Sequence, residues 1–268
     1  MNGNSGRIDN RGGLWDGDVL ANSGTISNAA ATWDHLPSGD SSWVGNVVSN
    51  SGTIINATGS DWTGNVLANV GTIATTGLWT GDITSGGRLE AGGSITGAVI
   101  NSGTIALSGD LAVGSVSFGG GGYFDVDLDA AGAGELLTAT GAASLDGIVR
   151  IKAGSAMTSG DYLTPYVILT AASRTGTFDG VTTDLAFLTP TLDYTATTAS
   201  VTLQRKAQEF EAVGVTGNQQ AVAAEVEGLG EGNALYDAVL WLTPEQAQAA
   251  FDQLSGEIYA TAEAMAVN

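Results

Sequence analysis

Two short motifs recur in a fixed order along this chain, and they constrain its fold more than any other feature. The first joins Trp, one variable residue, Gly, Asp or Asn, and a β-branched residue. Its copies are Trp15-Asp16-Gly17-Asp18-Val19, Trp43-Val44-Gly45-Asn46-Val47, Trp62-Thr63-Gly64-Asn65-Val66 and Trp79-Thr80-Gly81-Asp82-Ile83. The second reads Asn22-Ser23-Gly24-Thr25-Ile26, Asn50-Ser51-Gly52-Thr53-Ile54, Asn69-Val70-Gly71-Thr72-Ile73 and, later, Asn101-Ser102-Gly103-Thr104-Ile105. Ile73 follows Ile54 by 19 residues, and two steps of 16 lead from Ile73 through Leu89 to Ile105. One turn of a parallel β-helix takes roughly 20 residues. The 28-residue interval from Ile26 to Ile54 implies a loop insertion, whose natural place is residues 29–42, with Pro37, Gly39 and the lone His35.

Stacked at the strand spacing of about 4.8 Å, Ile26, Ile54, Ile73, Leu89 and Ile105 are expected to form one internal ladder, with Asn, Gly and Thr at the corners. A β-sandwich also turns at short intervals, but it does not repeat its corner chemistry. The tryptophans fit either a sugar-stacking platform or a staple between corners. The staple is favoured, because large aromatics usually bury most of their area. The composition agrees with many short strands and tight turns: 40 glycines and only 13% charged residues, against about 25% in a typical globular chain.

The charge balance narrows the partners. Twenty-eight acids against eight bases give a net charge of −20, which repels phosphate backbones and anionic headgroups, so nucleic acid is not expected as a partner. No apolar run reaches the length of a membrane helix. There is no cysteine, hence no disulfide, thiolate metal site or cysteine nucleophile. The start, Met1-Asn2-Gly3-Asn4-Ser5-Gly6, has neither a basic leader nor an apolar core segment. It reads as a mature segment whose export signal lies outside.

Three regions follow. Residues 1–110 carry the repeats. In 111–206 the strict repeat fades into alternating β segments with more bulky apolar groups (Phe118, Tyr123, Phe124, Tyr162, Tyr166, Phe178, Phe187, Tyr194), as a unit capping the end of a stack requires. Residues 207–268 are free of Lys and Arg and have helical apolar spacing: Val222/Val226/Leu229, Leu235/Val239/Leu242, Ala247/Ala250/Phe251/Leu254 and Ile258/Ala262/Met265. Thr243-Pro244-Glu245-Gln246 supplies an N-cap, a first-position proline and a capping-box partner. Such short helices need a surface to dock on.

The run from Gly122-Tyr123-Phe124-Asp125-Val126-Asp127-Leu128-Asp129 through Gly141-Ala142-Ala143-Ser144-Leu145-Asp146-Gly147, Tyr166-Val167-Ile168-Leu169-Thr170-Ala171, Gly176-Thr177-Phe178, Phe187-Leu188-Thr189-Pro190-Thr191-Leu192-Asp193-Tyr194 and Val201-Thr202-Leu203 resembles the autochaperone module that ends a bacterial autotransporter passenger. Asn218-Gln219-Gln220-Ala221-Val222-Ala223, Leu235-Tyr236-Asp237-Ala238-Val239-Leu240 and Phe251-Asp252-Gln253-Leu254-Ser255-Gly256-Glu257-Ile258-Tyr259-Ala260 resemble the helical linker leading into that family's translocator barrel. The resemblance covers about residues 108–268; residues 1–107 match only in style, as passenger repeats. It implies an all-β fold, a right-handed single-stranded parallel β-helix (solenoid) with a C-terminal β cap and a short α-helical tail. It also implies export through the periplasm and outer membrane to the Gram-negative cell surface, type V secretion, and a membrane barrel as partner. The chain reaches Asn268 without the alternating strands such a barrel needs.

Candidate chemistry is sparse. Gly39-Asp40-Ser41 resembles a serine-hydrolase nucleophile loop with His35 and Asp34 nearby, but Ser42 stands where such loops carry a second glycine, and a triad needs a base held against Ser41. Asp125, Asp127 and Asp129 alternate with Val126 and Leu128. An EF-hand would also need Gly and Glu where Ala130 and Leu136 stand, so a polar outer strand face is the simpler reading. Gly119 to Gly122 lacks a following helix or Lys and reads as a turn, not a phosphate cradle. The eight bases appear scattered. No catalytic, cofactor-binding or metal-binding residue is assigned, and no cofactor. The expected function is that of a non-catalytic surface or secreted passenger stem. Its cap would nucleate folding, and its repeats would offer an adhesive surface to a host receptor or to one another. The alternative is a fragment of a passenger hydrolase acting on polysaccharide or protein.

Overall fold

The computed structural model describes residues 1–30, 40–129, 134–154, 157 and 161–256. They form a mostly β molecule in which parallel strand pairing dominates, followed by three short helices.

Each repeat up to Ser85 makes three short strands, for example Asp61–Thr63, Val66–Asn69 and Thr72–Thr75. Trp62, Val66, Asn69, Ile73 and Thr75 point inward and are buried, while two neighbouring residues, Leu67 and Ala68, both face out. Each strand pairs in parallel with its counterpart in the neighbouring repeat. Ile8 lies opposite Ile26, Ile26 opposite Ile54, Ile54 opposite Ile73, Ile73 opposite Leu89 and Leu89 opposite Ile105. The expected ladder is therefore present and extends at both ends, to Ile8 and onward to Phe124 and Val149. Ile26 pairs with Ile54 with no repeat between them, so the 28-residue interval holds an insertion. Its residues 31–39, which include Asp34, His35 and Pro37, lie outside the described residues.

From Arg88 onward the separate short strands give way to the long, bulged Arg88–Asn101 and Thr104–Phe118. The second of these spans the expected junction at residue 110. Parallel pairing continues through Leu137–Leu145, Tyr166–Gly176 and Gly180–Thr183. Only the last strands turn antiparallel: Thr198–Arg205 pairs with both Tyr166–Gly176 and Leu188–Tyr194. Pro190 sits in Leu188–Tyr194, whose one ladder is that with Thr198–Arg205; a strand paired on one side tolerates a residue without an N–H.

The core changes character along the stack. Trp15, Trp43, Trp62 and Trp79 form a column of stacked rings 4.5–4.9 Å apart, and the column continues as Ile95, Val113 and Ala139. As it loses volume, Phe118, Phe124 and Phe178 enter from the other side and pack together at 5.2–5.9 Å. Of the bulky residues expected in the cap, Phe118, Phe124, Tyr162, Tyr166, Phe178 and Phe187 are buried, Tyr194 is half-buried and Tyr123 is exposed.

The helices are α1 (Gly217–Leu229), α2 (Ala234–Leu240) and α3 (Pro244–Ser255). Thr243 and Gln246 close the expected capping box of α3, and Thr216 with Gln219 closes another on α1. Of the apolar stripes the spacing marks, Val226, Val239, Ala247 and Phe251 are buried, while Leu229, Leu235 and Leu254 are exposed because no described element covers that side of the helices. Ile258, Ala262 and Met265 lie outside the described residues. No helix among the described residues is long and apolar enough to cross a membrane.

Candidate functional site

The repeat motifs have a local chemical meaning. Gly17, Gly45, Gly64 and Gly81 all adopt φ near +145°, and a Cβ on Gly64 would stand 2.0 Å from the carbonyl oxygen of Gly45. The Asp or Asn that follows each glycine accepts the backbone N–H of the next repeat's corner: Asp18 from Asn46 (2.6 Å), Asn46 from Asn65 (2.8 Å), Asn65 from Asp82 (2.7 Å) and Asp82 from Ala98 (2.8 Å). The Asn of the second motif points inward. Asn4 donates to Asn22 (2.7 Å), Asn22 to Asn50 (2.6 Å), Asn50 to Asn69 (2.6 Å) and Asn69 to the Ser85 hydroxyl (3.0 Å), all buried. A parallel buried ladder runs Asn10 to Asn28 (2.8 Å) to Asn56 (2.9 Å). The sequence holds its signal, an Asn two residues after Ile8, Ile26 and Ile54, outside the two recurring motifs.

The tryptophan column is a staple. Trp43, Trp62 and Trp79 have no exposed surface, so no sugar can stack on them, and Trp15 and Trp43 donate their indole N–H to the carbonyls of Gly17 and Gly45. Ser41 is fully buried. Its hydroxyl accepts from the Gly12 N–H (2.6 Å) and donates to the Ala29 carbonyl (2.5 Å), so it closes the base of the insertion and points at no substrate. Gly119 to Gly122 is a turn, closed by the Gly122 N–H on the Gly119 carbonyl.

Asp125, Asp127 and Asp129 face outward from a strand whose Phe124, Val126 and Leu128 are buried, as the alternation requires. Among the described residues no three potential metal-ligating side chains cluster. The expectation that the bases are scattered fails here. Arg88, Arg150 and Lys152 converge with Asp125, Thr182, Thr183 and Asp184 in an open cleft of about 480 Å³. Residues 62 positions apart meet because the register sets Asp125 beside Arg150 and Asp127 beside Lys152. Arg150 grips both oxygens of Asp125 (2.6 and 2.7 Å) and lies over the Tyr123 ring, while Arg88 binds Glu90 (2.6 Å) and reaches Asp125 at 3.5 Å. The Glu90 bond, aided by Asp125, holds the Arg88 guanidinium above its ordinary pKa. Asp125 is thus held by two guanidiniums, with Lys152 and Asp184 beside it in the same cleft.

The most elaborate constellation lies where the antiparallel strands meet the helices. Arg205 makes two bonds to Glu227 of α1 (3.0 and 3.2 Å), donates to the carbonyls of Lys206 and Gln208, and lies over Phe187 and Phe210. Glu227 also accepts the Phe210 N–H at 2.8 Å. The Lys206 ammonium caps the carbonyls of Leu185 and Ala186; burial, then the charge of Arg205, pulls its pKa below the ordinary value. Tyr162 donates to Glu231 at 2.5 Å, and burial, reinforced by that carboxylate, pushes its phenol up to about 12. Phe187, Phe210 and Tyr236 stack across the joint at 4.5 and 5.0 Å. Arg205 and Glu227 carried no motif in the sequence; only their fold neighbours give them a role. The joint binds the helices to the last strands, with the Lys206 ammonium and the Tyr162 hydroxyl both engaged by protein oxygens.

Compared with known proteins, the chain matches no family model and no curated sequence.

Proposed function

We propose that this chain is the stem, folding cap and helical linker of an autotransporter passenger, a non-catalytic right-handed parallel β-helix displayed at a Gram-negative cell surface. The observation that carries the reading is an asymmetry. Equivalent residues of successive repeats pair in register from Ile8 to Val149, and among the described residues antiparallel strands, aromatic packing and docked helices close the C-terminal end. In a one-dimensional stack each unit is stabilised by its neighbours, so the first unit formed is the costly one and later units add to an existing edge. A bulky C-terminal unit supplies that edge. In the family this chain resembles, the passenger emerges C-terminus first, and growth from that end would resist backsliding without ATP. The barrel of the outer membrane is the partner this reading requires. The repeats then serve as an adhesive or interaction surface.

Two further features support a non-catalytic role: the Ser41 hydroxyl is committed to backbone groups, and Asp125 is committed to arginines. Refolding the full chain beside a variant lacking residues 111–205 tests the proposal. Slow or abolished refolding of residues 1–110 in the variant is expected. Equal rates in the two proteins would remove the nucleus.

A further inference from the structure

Of the eight bases in the chain, Arg88, Arg150 and Lys152 meet in the open cleft of about 480 Å³, and the other five are engaged elsewhere. Arg7 and Arg11 pair with Asp9, Arg174 donates to the carbonyls of Thr195 and Gly176, and Arg205 and Lys206 hold the helical joint. The three cleft cations keep bonding capacity. A guanidinium carries five N–H donors; Arg150 gives its Nε and Nη2 to Asp125, while Arg88 gives Nε to Glu90 and turns Nη1 toward Asp125. Among the described residues Nη1 of Arg150, Nη2 of Arg88 and the exposed Lys152 ammonium have no hydrogen-bond partner. Asp125 and the Tyr123 ring fix the Arg150 guanidinium, so its free donors are oriented before any ligand arrives.

The rest of the lining is polar. Parallel register sets Thr182 beside Arg150 and Thr183 beside Ile151, with Asp184 next in the chain, and Thr182 and Asp184 are exposed. Ile151, the one apolar residue of the lining, turns its side chain into the core. We propose that this cleft binds a uronate unit of an acidic saccharide, its carboxylate on Lys152 and the free N–H groups of Arg88 and Arg150, its hydroxyls on Thr182 and Asp184. A carboxylate presents two oxygens to forked donors and makes charge-assisted bonds with them. The acids of the cleft select the rest of the ligand. Asp184, and Asp127 beside Lys152 in register, repel a bare inorganic anion but accept hydroxyl protons, which a sugar supplies around its ring. An acidic peptide finds no apolar recess here for its other side chains, and a sugar needs none. The inference does not rest on the display function, and its failure would leave the refolding test untouched.

Titrating the full chain with a galacturonic acid trisaccharide, followed through amide resonances, tests the assignment. The amides of Arg150, Lys152, Thr182 and Asp184 should shift together. Lys152→Gln, an exposed change, should weaken binding about tenfold, the worth of one charge-assisted hydrogen bond. Arg7→Gln, which removes an exposed base at the other end of the stack, should leave the affinity unchanged. The methyl-esterified trisaccharide should not bind. No shift with the free acid, equal binding of the ester, or equal losses in the two variants overturns the proposal. Inorganic phosphate or a triglutamate peptide that binds at Lys152 as tightly as the sugar also overturns it, and gives the cleft to a bare anion or to an acidic peptide.

Discussion

The side-chain amide of Asn50 donates to the carbonyl of Asn69 across 2.6 Å, inside the core, 19 residues along the chain. Asn50 in turn accepts from Asn22 at 2.6 Å, so each amide is both donor and acceptor in one continuous row. A buried row of this kind stabilises only when every member is satisfied. Its period also fixes the register, since slipping one repeat by a residue would turn the amides outward and the exposed positions in. Replacing Asn50 by Val takes the donor from the Asn69 side-chain oxygen and leaves the Asn22 amide only its longer bonds to the Gly24 and Thr53 carbonyls, and should cost about 2–4 kcal/mol. The bonded row ends at the Ser85 hydroxyl; Asn101 lies next in register, and among the described residues its carbonyl oxygen is buried without a partner. Asn101→Val should therefore cost distinctly less, and urea unfolding of the two variants measures the difference.

Backbone shape and close approach separate at the corner glycines. Gly17 and Gly64 share the same φ, +144° and +148°, yet a Cβ on Gly17 meets open space while one on Gly64 collides with the Gly45 carbonyl. Gly17→Ala should cost about 1–3 kcal/mol, the strain alone. Gly64→Ala should cost more and shift neighbouring amide resonances, and equal costs in thermal unfolding would contradict the packing described.

The tryptophan column allows a finer comparison. Trp43 donates to the Gly45 carbonyl at 3.1 Å, whereas the Trp62 indole N–H is buried without a partner. Both Trp→Phe changes lose volume, but only Trp43→Phe breaks a hydrogen bond, worth about 1 kcal/mol. Trp62→Phe should be the milder variant by roughly that amount in denaturant unfolding.

At the joint, Tyr162 holds its proton longer in the folded state than in the unfolded one, because burial and Glu231 raise its pKa. A group of this kind contributes stability that is complete below its unfolded pKa, about 10, and lost as the pH climbs toward 12. The unfolding midpoint should fall over that interval, and Tyr162→Phe should flatten the fall. Arg205→Ala leaves Glu227 in a half-buried site without its partner, and should cost about 2 kcal/mol or more while loosening amide protection in α1.

Much of this architecture was legible because a stack writes its spatial neighbours into the sequence as a period. Ile26, Ile54, Ile73, Leu89 and Ile105 share aliphatic chemistry and, outside the one 28-residue interval with its insertion, a spacing of 16 to 19, so their alignment follows from counting. Phe124 and Val149 occupy the same row but were not assigned to it, because the residue type and the interval both change where the core is rebuilt around aromatics. The meeting of Arg88, Arg150 and Lys152 escaped notice for another reason: outward positions carry no apolar constraint, so nothing periodic marks them. The helices announced their buried faces through Val226 and Phe251. Their anchorage through Arg205 and Glu227 depends on a tertiary packing that no local pattern encodes.

The central claim is that folding grows from the closed C-terminal end, and its most direct test is pulse-labelling hydrogen exchange during refolding of the full chain. Amides of Tyr166–Gly176 and Thr198–Arg205 should gain protection first, followed in order by those around Ile105, Ile73 and Ile54. Earlier protection at Trp43–Ile54 than at Tyr166–Arg205 would contradict templated growth from that end.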